Sequence, residues 1–184
     1  MALKATIHKV QLQIADMDRH YYADHALTVA QHPSETDERM MVRLLAFALN
    51  ADASLAFGRG VSTEGEPDLW RKDLTDAIEV WIQLGQPDEK EIRRACARAS
   101  QVILYPYSGH GAAIWWEQLA GKCATLDNLA VIDIAPASVT ALAALTARSM
   151  TLNCLIQDGA VWVTRPDHDA VEVEMAMLKA ARNS

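Results

Sequence analysis

The sequence predicts an α/β fold built on a compact mixed sheet, and three observations carry that expectation. The run Ala77-Ile78-Glu79-Val80-Trp81-Ile82-Gln83-Leu84, stopped by Gly85, has the β-branched and aromatic content of a strand. A helical stretch from Asp88 to Ser100 and a second apolar run from Gln101 to Tyr105 follow it, which makes a strand–helix–strand unit with parallel strands. The two ends of the chain read differently, as an N-terminal β-hairpin and a C-terminal antiparallel β-meander.

Taken in order, Leu3 to Ile14 alternates as a strand, Ala15 to Arg19 reads as a turn, and Tyr21 to Ala30 runs back. Ser34 then opens a helix as N-cap, with Asp37 at the capping-box position and Glu35 and Glu38 favouring the positive helix end. Its apolar stripe is Met41, Val42, Leu44, Leu45, Ala48 and Leu49, and Glu38 falls in the middle of that stripe. Strands follow near Ser54–Phe57, at Asp68 and at Ala77–Leu84, and Pro87 suits the first turn of the helix from Asp88. After Gln101–Tyr105 come a helix from about Ala112 to Cys123, a strand at Leu129–Ala135 and an Ala/Leu-rich helix at Pro136–Arg148. The meander is Met150–Gln157, Ala160–Thr164 and Val171–Met177.

Composition narrows the function classes. A chain of 184 residues, 51% hydrophobic and 22% charged, suits one globular domain spanning 1–184. Its net charge of −7 does not favour nonspecific binding to nucleic acid, although a local basic patch would allow it. No apolar run reaches the length of a membrane span, and Met1–Ala5 lacks the apolar stretch of a secretory signal. Cys96, Cys123 and Cys154 are odd in number and widely separated, which reads as reduced, mostly buried thiols in a cytoplasmic protein. The chain is expected to be a monomer. No Gly-x-Ser-x-Gly elbow is present, so a serine hydrolase is disfavoured.

The acids of the central strand region carry the chemistry. On a strand as apolar as Ala77–Leu84, Glu79 would be held away from bulk water and would need a partner. Asp68, eleven residues earlier and just after Pro67, supplies a second carboxylate if its segment pairs alongside. Two acids on adjacent strand ends make a cradle for Mg²⁺. The plainer alternative is a glutamate paired with an arginine or placed on an exposed edge. In the helix from Asp88, Lys90, Arg94 and Arg98 form a basic row at i, i+4 and i+8, either a solvated face paired with acids or a phosphate-facing row.

Several segments together resemble the bacterial YaeQ family across nearly the whole chain. They include Met1–Ile7, His32-Pro33-Ser34-Glu35-Thr36, Glu38-Arg39-Met40, Trp81-Ile82 with Leu84-Gly85, Pro87-Asp88-Glu89 and Trp115-Trp116. Met150-Thr151-Leu152 and Ile156-Gln157-Asp158-Gly159 complete the set. The resemblance implies a restriction-endonuclease-like fold of the PD-(D/E)xK type, with its core at about 34–135. It implies that Pro67-Asp68 matches the PD element, Glu79 the second acid and Glu38 the helix acid. Trp81 stands where those nucleases carry the lysine that positions the attacking water and stabilises the developing charge. Gln83, next on that face, can orient a water but cannot act as a base, and the resemblance implies an acid at that position in many relatives. Lys72 and Lys90 are the nearest lysines that could substitute.

Two functions follow. The first is metal-dependent phosphodiester hydrolysis of nucleic acid. Asp68 and Glu79 would hold Mg²⁺ or Mn²⁺, Glu38 would serve as a further ligand, and Gln83 would place the water. Lys90, Arg94 and Arg98 would take the phosphates. The second is a non-enzymatic protein that keeps the scaffold and binds nucleic acid or a transcription-related protein, since the family has been connected with transcription elongation.

Overall fold

The computed structural model describes residues 3–60 and 63–182, so Met1 and Ala2 of the opening motif lie outside it. The chain divides into two units: residues 1–51 with 137–174, and residues 52–136 with 175–184. Among the described residues it is an α/β fold with two mixed sheets and four helices. None of the helices is long and apolar enough to cross a membrane.

The first unit is built on the hairpin. β1 (Thr6–Asp16) and β2 (Tyr21–Gln31) pair antiparallel over their whole length, as the alternation predicts. α1 (Asp37–Leu49) follows, capped by Thr36, whose side chain accepts from Arg39 N, two residues later than the Ser34 cap expected from the sequence. α4 (Pro136–Ala143) leads into β8 (Ser149–Gln157), β9 (Ala160–Thr164) and β10 (Val171–Glu172). The five strands form one sheet in the order β10-β9-β8-β1-β2, because β8 lies parallel to β1. The hairpin and the meander, expected as two separate additions, are therefore one sheet. Its inner face is the apolar set of each alternation: Leu12, Leu152 and Val163 meet Met41 and Leu45 of α1 and Leu142 of α4.

The second unit carries the strand–helix–strand core. β3 (Leu55–Phe57), β4 (Leu69–Lys72) and β5 (Ile78–Leu84) are antiparallel neighbours. α2 (Glu89–Arg98) connects β5 to β6 (Ala99–Tyr105), and the two strands are parallel as predicted. Asp88 and Glu91 close a reciprocal capping box, so Pro87 precedes the cap rather than entering the first turn. α3 (His110–Leu119) connects to β7 (Leu129–Ile134), parallel to β6. One sheet face buries Trp81, Val102, Leu104, Leu129 and Val131 against Ile92 and Ala95 of α2 and Leu119 of α3.

Two expectations are corrected here. The last segment of the meander leaves its sheet: β11 (Met175–Lys179) pairs antiparallel with β7, and the six-stranded order is β11-β7-β6-β5-β4-β3. The helix placed with the nuclease-like core on sequence grounds, α1, clusters instead with the hairpin sheet. The order helix, three strands, helix, strand occurs along the chain from α1 to β6, but its first helix falls in one unit and its strands in the other.

Candidate functional site

Asp68 is fixed by the loop before it and the strand beside it. Gly58 N donates to Asp68 O at 2.9 Å, and a Cβ on Gly58 would stand 2.0 Å from Pro67 O, so only glycine permits that approach. Glu66, next to Pro67, ties the same loop to Arg59 through the Arg59 backbone N–H at 3.1 Å. Asp68 N donates to Ile82 O at 3.0 Å, and Leu84 N donates to Asp68 Oδ2 at 2.8 Å. The register Leu69↔Ile82, continued by one residue, sets Asp68 against Gln83. The side chain is 8% exposed at residue level, so this carboxylate is committed to backbone at the C-terminal end of β5.

Glu79 lies elsewhere. The β4–β5 register shifts between Arg71 and Lys72, a bulge that places Glu79 outside the regular alternation. There it accepts from Arg71 Nε at 2.8 Å, and Arg71 Nη1 also stands 3.6 Å from Asp52 Oδ2. Glu79 is four residues along β5 from Gln83, about 13 Å at the rise of a strand, so it and Asp68 do not face one open point. Among the described residues no group of three or more His, Cys, Asp or Glu side chains is placed to hold a metal ion. The two acids expected to hold Mg²⁺ or Mn²⁺ are thus set apart by register, with Asp68 Oδ2 accepting from Leu84 N and Glu79 Oε2 from Arg71. The arginine-paired alternative for Glu79 is the one the geometry matches.

Since both partners of this pair are about a third or more exposed, its net worth is small. Glu79→Gln is expected to lower stability by less than about 1 kcal/mol in urea denaturation, and to leave Mg²⁺ affinity by calorimetry at the wild-type level. A clear loss of Mg²⁺ affinity would show that the pair opens to take a cation.

Glu38 sits in the first turn of α1, in the other unit, and is exposed rather than core-facing. Every residue from Met40 to Ala48 is buried, so the helix has no solvent side over that span and a stripe drawn on its wheel has no meaning there. The buried acid is Glu35, before the helix. It accepts from Arg43 Nη2 at 2.9 Å and Arg39 Nη1 at 3.2 Å.

Trp81 is 4% exposed and packs edge-on against Trp70 with ring centroids 6.4 Å apart. Its indole N–H donates to Gln83 Oε1 at 3.2 Å, which orients the Gln83 amide. Neither expected lysine takes the vacant role. Lys72 Nζ lies 3.9 Å from the Trp70 ring centroid and 3.6 Å from Asp76 Oδ1, and Lys90 is exposed on α2. The cation that reaches Trp81 is Arg98, whose guanidinium carbon is 5.1 Å from the ring centroid while Nη1 donates to Gly65 O at 2.8 Å. Of the basic row, Arg98 is thus anchored, whereas Lys90 and Arg94 are exposed and pair with no acid among the described residues.

Asp133 was not singled out by its sequence pattern, being one polar residue in an apolar run. Burial raises its carboxyl above the usual range, and Oδ1 is buried without a hydrogen-bond partner among the described residues. Cys96 and Cys154 are free thiols pushed up to about 11 and about 12 chiefly by burial, and burial raises the free thiol of Cys123 as well.

The same backbone and much of the same sequence occur in other bacterial proteins. The family model described as YaeQ protein matches residues 1–175. The YaeQ protein of Salmonella typhi is 48% identical over 164 residues, covering 89% of this chain and 91% of its own. That of Escherichia coli K12 is 43% identical over 175 residues, with 95% and 96% covered. The crystal structure of YaeQ from Xanthomonas axonopodis pv. citri superposes with a TM-score of 0.92 at 49% identity, covering 96% of this chain and 99% of that one. YaeQ from Pseudomonas syringae gives 0.91 at 35% identity, with 97% and 98% covered. A family match over nearly the full length, joined to this agreement in sequence and backbone, places the chain in the YaeQ family.

Proposed function

We propose that this chain is a binding protein on a nuclease-like scaffold, taking nucleic acid on α2 without hydrolysing it. The observation that carries the reading is the separation of Glu79 from Asp68: two-metal or one-metal hydrolysis needs acids that share a cation, and here each is engaged elsewhere. The lysine that would stabilise the developing charge is replaced by a buried tryptophan. What remains is a point of attraction for phosphate. Lys90, Arg94 and Arg98 stand one helical turn apart on α2, and none of the three is paired with an acid among the described residues. In a chain of net charge −7 such a row binds only locally, so affinity is expected to be modest and strongly salt-dependent.

The test is fluorescence anisotropy with labelled single-stranded RNA and DNA across a salt series. Lys90→Ala/Arg94→Ala is expected to weaken binding and to reduce the slope of log K against log salt by about 1.4, two phosphate contacts at about 0.7 each. No binding at low salt, or binding indifferent to this pair, sinks the reading. Cleavage of either substrate with Mn²⁺, abolished by Asp68→Asn, replaces it with the hydrolytic one.

A further inference from the structure

The five-stranded sheet buries one face under α1 and α4 and presents a different chemistry on the other. Along its register Tyr22, Ala15, Leu155, Trp162 and Glu172 form one straight row across β2, β1, β8, β9 and β10. Tyr22 is 61% exposed, Leu155 39% and Trp162 37%, large apolar groups that a sheet surface ordinarily does not align. The neighbouring row is Asp24, Gln13, Asn153 and Thr164, again in register. The two rows line a depression of about 730 Å³ in this open face. Ala15 is its low floor. Tyr22 and Trp162, three strands apart, stand about 14 Å from each other.

Three features state what this depression would take. Its polar side is all amide, carboxylate and hydroxyl, and none of these four side chains hydrogen-bonds the rest of the chain among the described residues. Lys9 by contrast donates to Thr28 Oγ1 at 2.9 Å further along the same face. Gln13, Asn153 and Thr164 can each both donate and accept, as hydroxyl groups do, and Asp24 accepts twice. Its apolar side offers two exposed aromatic rings, which suit the C–H faces of a sugar ring. Its charge is one acid within the depression, Asp24, with a second, Glu172, beside Trp162, and no cation lining it. Phosphate is disfavoured by that balance, and a second copy of the chain docked on this face would set acids near acids.

We infer that the open face of this sheet binds a neutral oligosaccharide, with sugar rings on Tyr22 and Trp162 and hydroxyls on Asp24, Gln13, Asn153 and Thr164. The site lies in the other unit from α2 and is independent of the nucleic-acid reading.

The experiment uses the full chain, titrated with maltohexaose, cellohexaose and chitohexaose, and follows backbone amide shifts by NMR. At least one of the three is expected to shift amides confined to β1, β2, β8 and β9. Trp162→Ala is expected to weaken it by about tenfold or more and Asn153→Ala by several-fold. Both positions are at the surface of the open face, and Lys90→Ala/Arg94→Ala should leave the affinity unchanged. Absence of any shift with all three sugars at about 5 mM overturns the inference, as does binding that Trp162→Ala leaves intact. Tighter binding of oligouridine to the same amides would assign the face to nucleic acid instead. Self-association abolished by Trp162→Ala would assign it to a second copy.

Discussion

Glu35→Ala is expected to cost about 3–5 kcal/mol of stability, a large share of the 5–15 kcal/mol that holds a typical domain together. The carboxylate of Glu35 is 2% exposed and the Arg43 guanidinium 6%, with Nη2 and Oε2 2.9 Å apart. Arg43 Nη2 also donates to Ala30 O at 3.0 Å, so the cation ties α1 to the end of β2. Truncating the acid removes the carboxylate that Glu35 sets against that buried guanidinium, and the penalty is the desolvation of the survivor rather than the worth of the pair. Urea denaturation should show a lower midpoint with an unchanged slope. The double variant Glu35→Leu/Arg43→Met, which removes both charges and keeps the volume, is expected to recover most of the loss. Glu38→Ala, by contrast, removes an exposed first-turn acid and should cost less than about 1 kcal/mol. If Glu38→Ala proved the more damaging of the two, the burial assigned to Glu35 would be wrong.

That contrast shows where sequence reasoning reached and where it stopped. Alternation in β1 and β2 and the parallel β5–α2–β6 unit are local patterns, and each was legible because its cause lies within a few dozen residues. The Asp88–Glu91 capping box is as local, but expecting Pro87 in the first turn passes over it. Glu38 and Glu35 differ by three positions, and choosing between them needed the helix start and the knowledge that α1 is buried all round. The join of β1 to β8 and the departure of β11 to β7 pair residues more than forty positions apart, for which no spacing in the chain gives a signal. Asp68 and Glu79 failed to meet for a register reason. An eleven-residue interval fixes neither the partner of Asp68, which is Gln83, nor the bulge that turns Glu79 to Arg71. The aligned row from Tyr22 to Trp162 is invisible for the same cause, since its members lie in four separate strands. Arg98 is one of the three basic residues of the row, but its hold on Trp81 depends on where α2 ends.

Trp81 tests the functional reading and the packing at once. Trp81→Ala is expected to destabilise the chain by about 3–5 kcal/mol, since the indole is 4% exposed and fills the space between Trp70 and the cluster of Ile92, Val102 and Leu104. It also removes the ring under Arg98, a further loss of about 0.5–1 kcal/mol at an exposed guanidinium. Trp81→Lys restores the residue type that a nuclease of this resemblance would carry, and it is expected to fail on two counts. The ammonium would enter an apolar pocket where Glu79 is held by Arg71 and Asp68 by Leu84 N, so no acid is free to receive it, and stability should fall at least as far as in the alanine variant. Cleavage should not appear either, because the lysine would join no shared cation. Denaturant midpoints for the two variants, with Mn²⁺-dependent cleavage assayed on those that remain folded, decide the matter. A stable Trp81→Lys chain that gains cleavage would mean that the carboxylates converge once the tryptophan is gone, and the binding reading would give way to a dormant hydrolase.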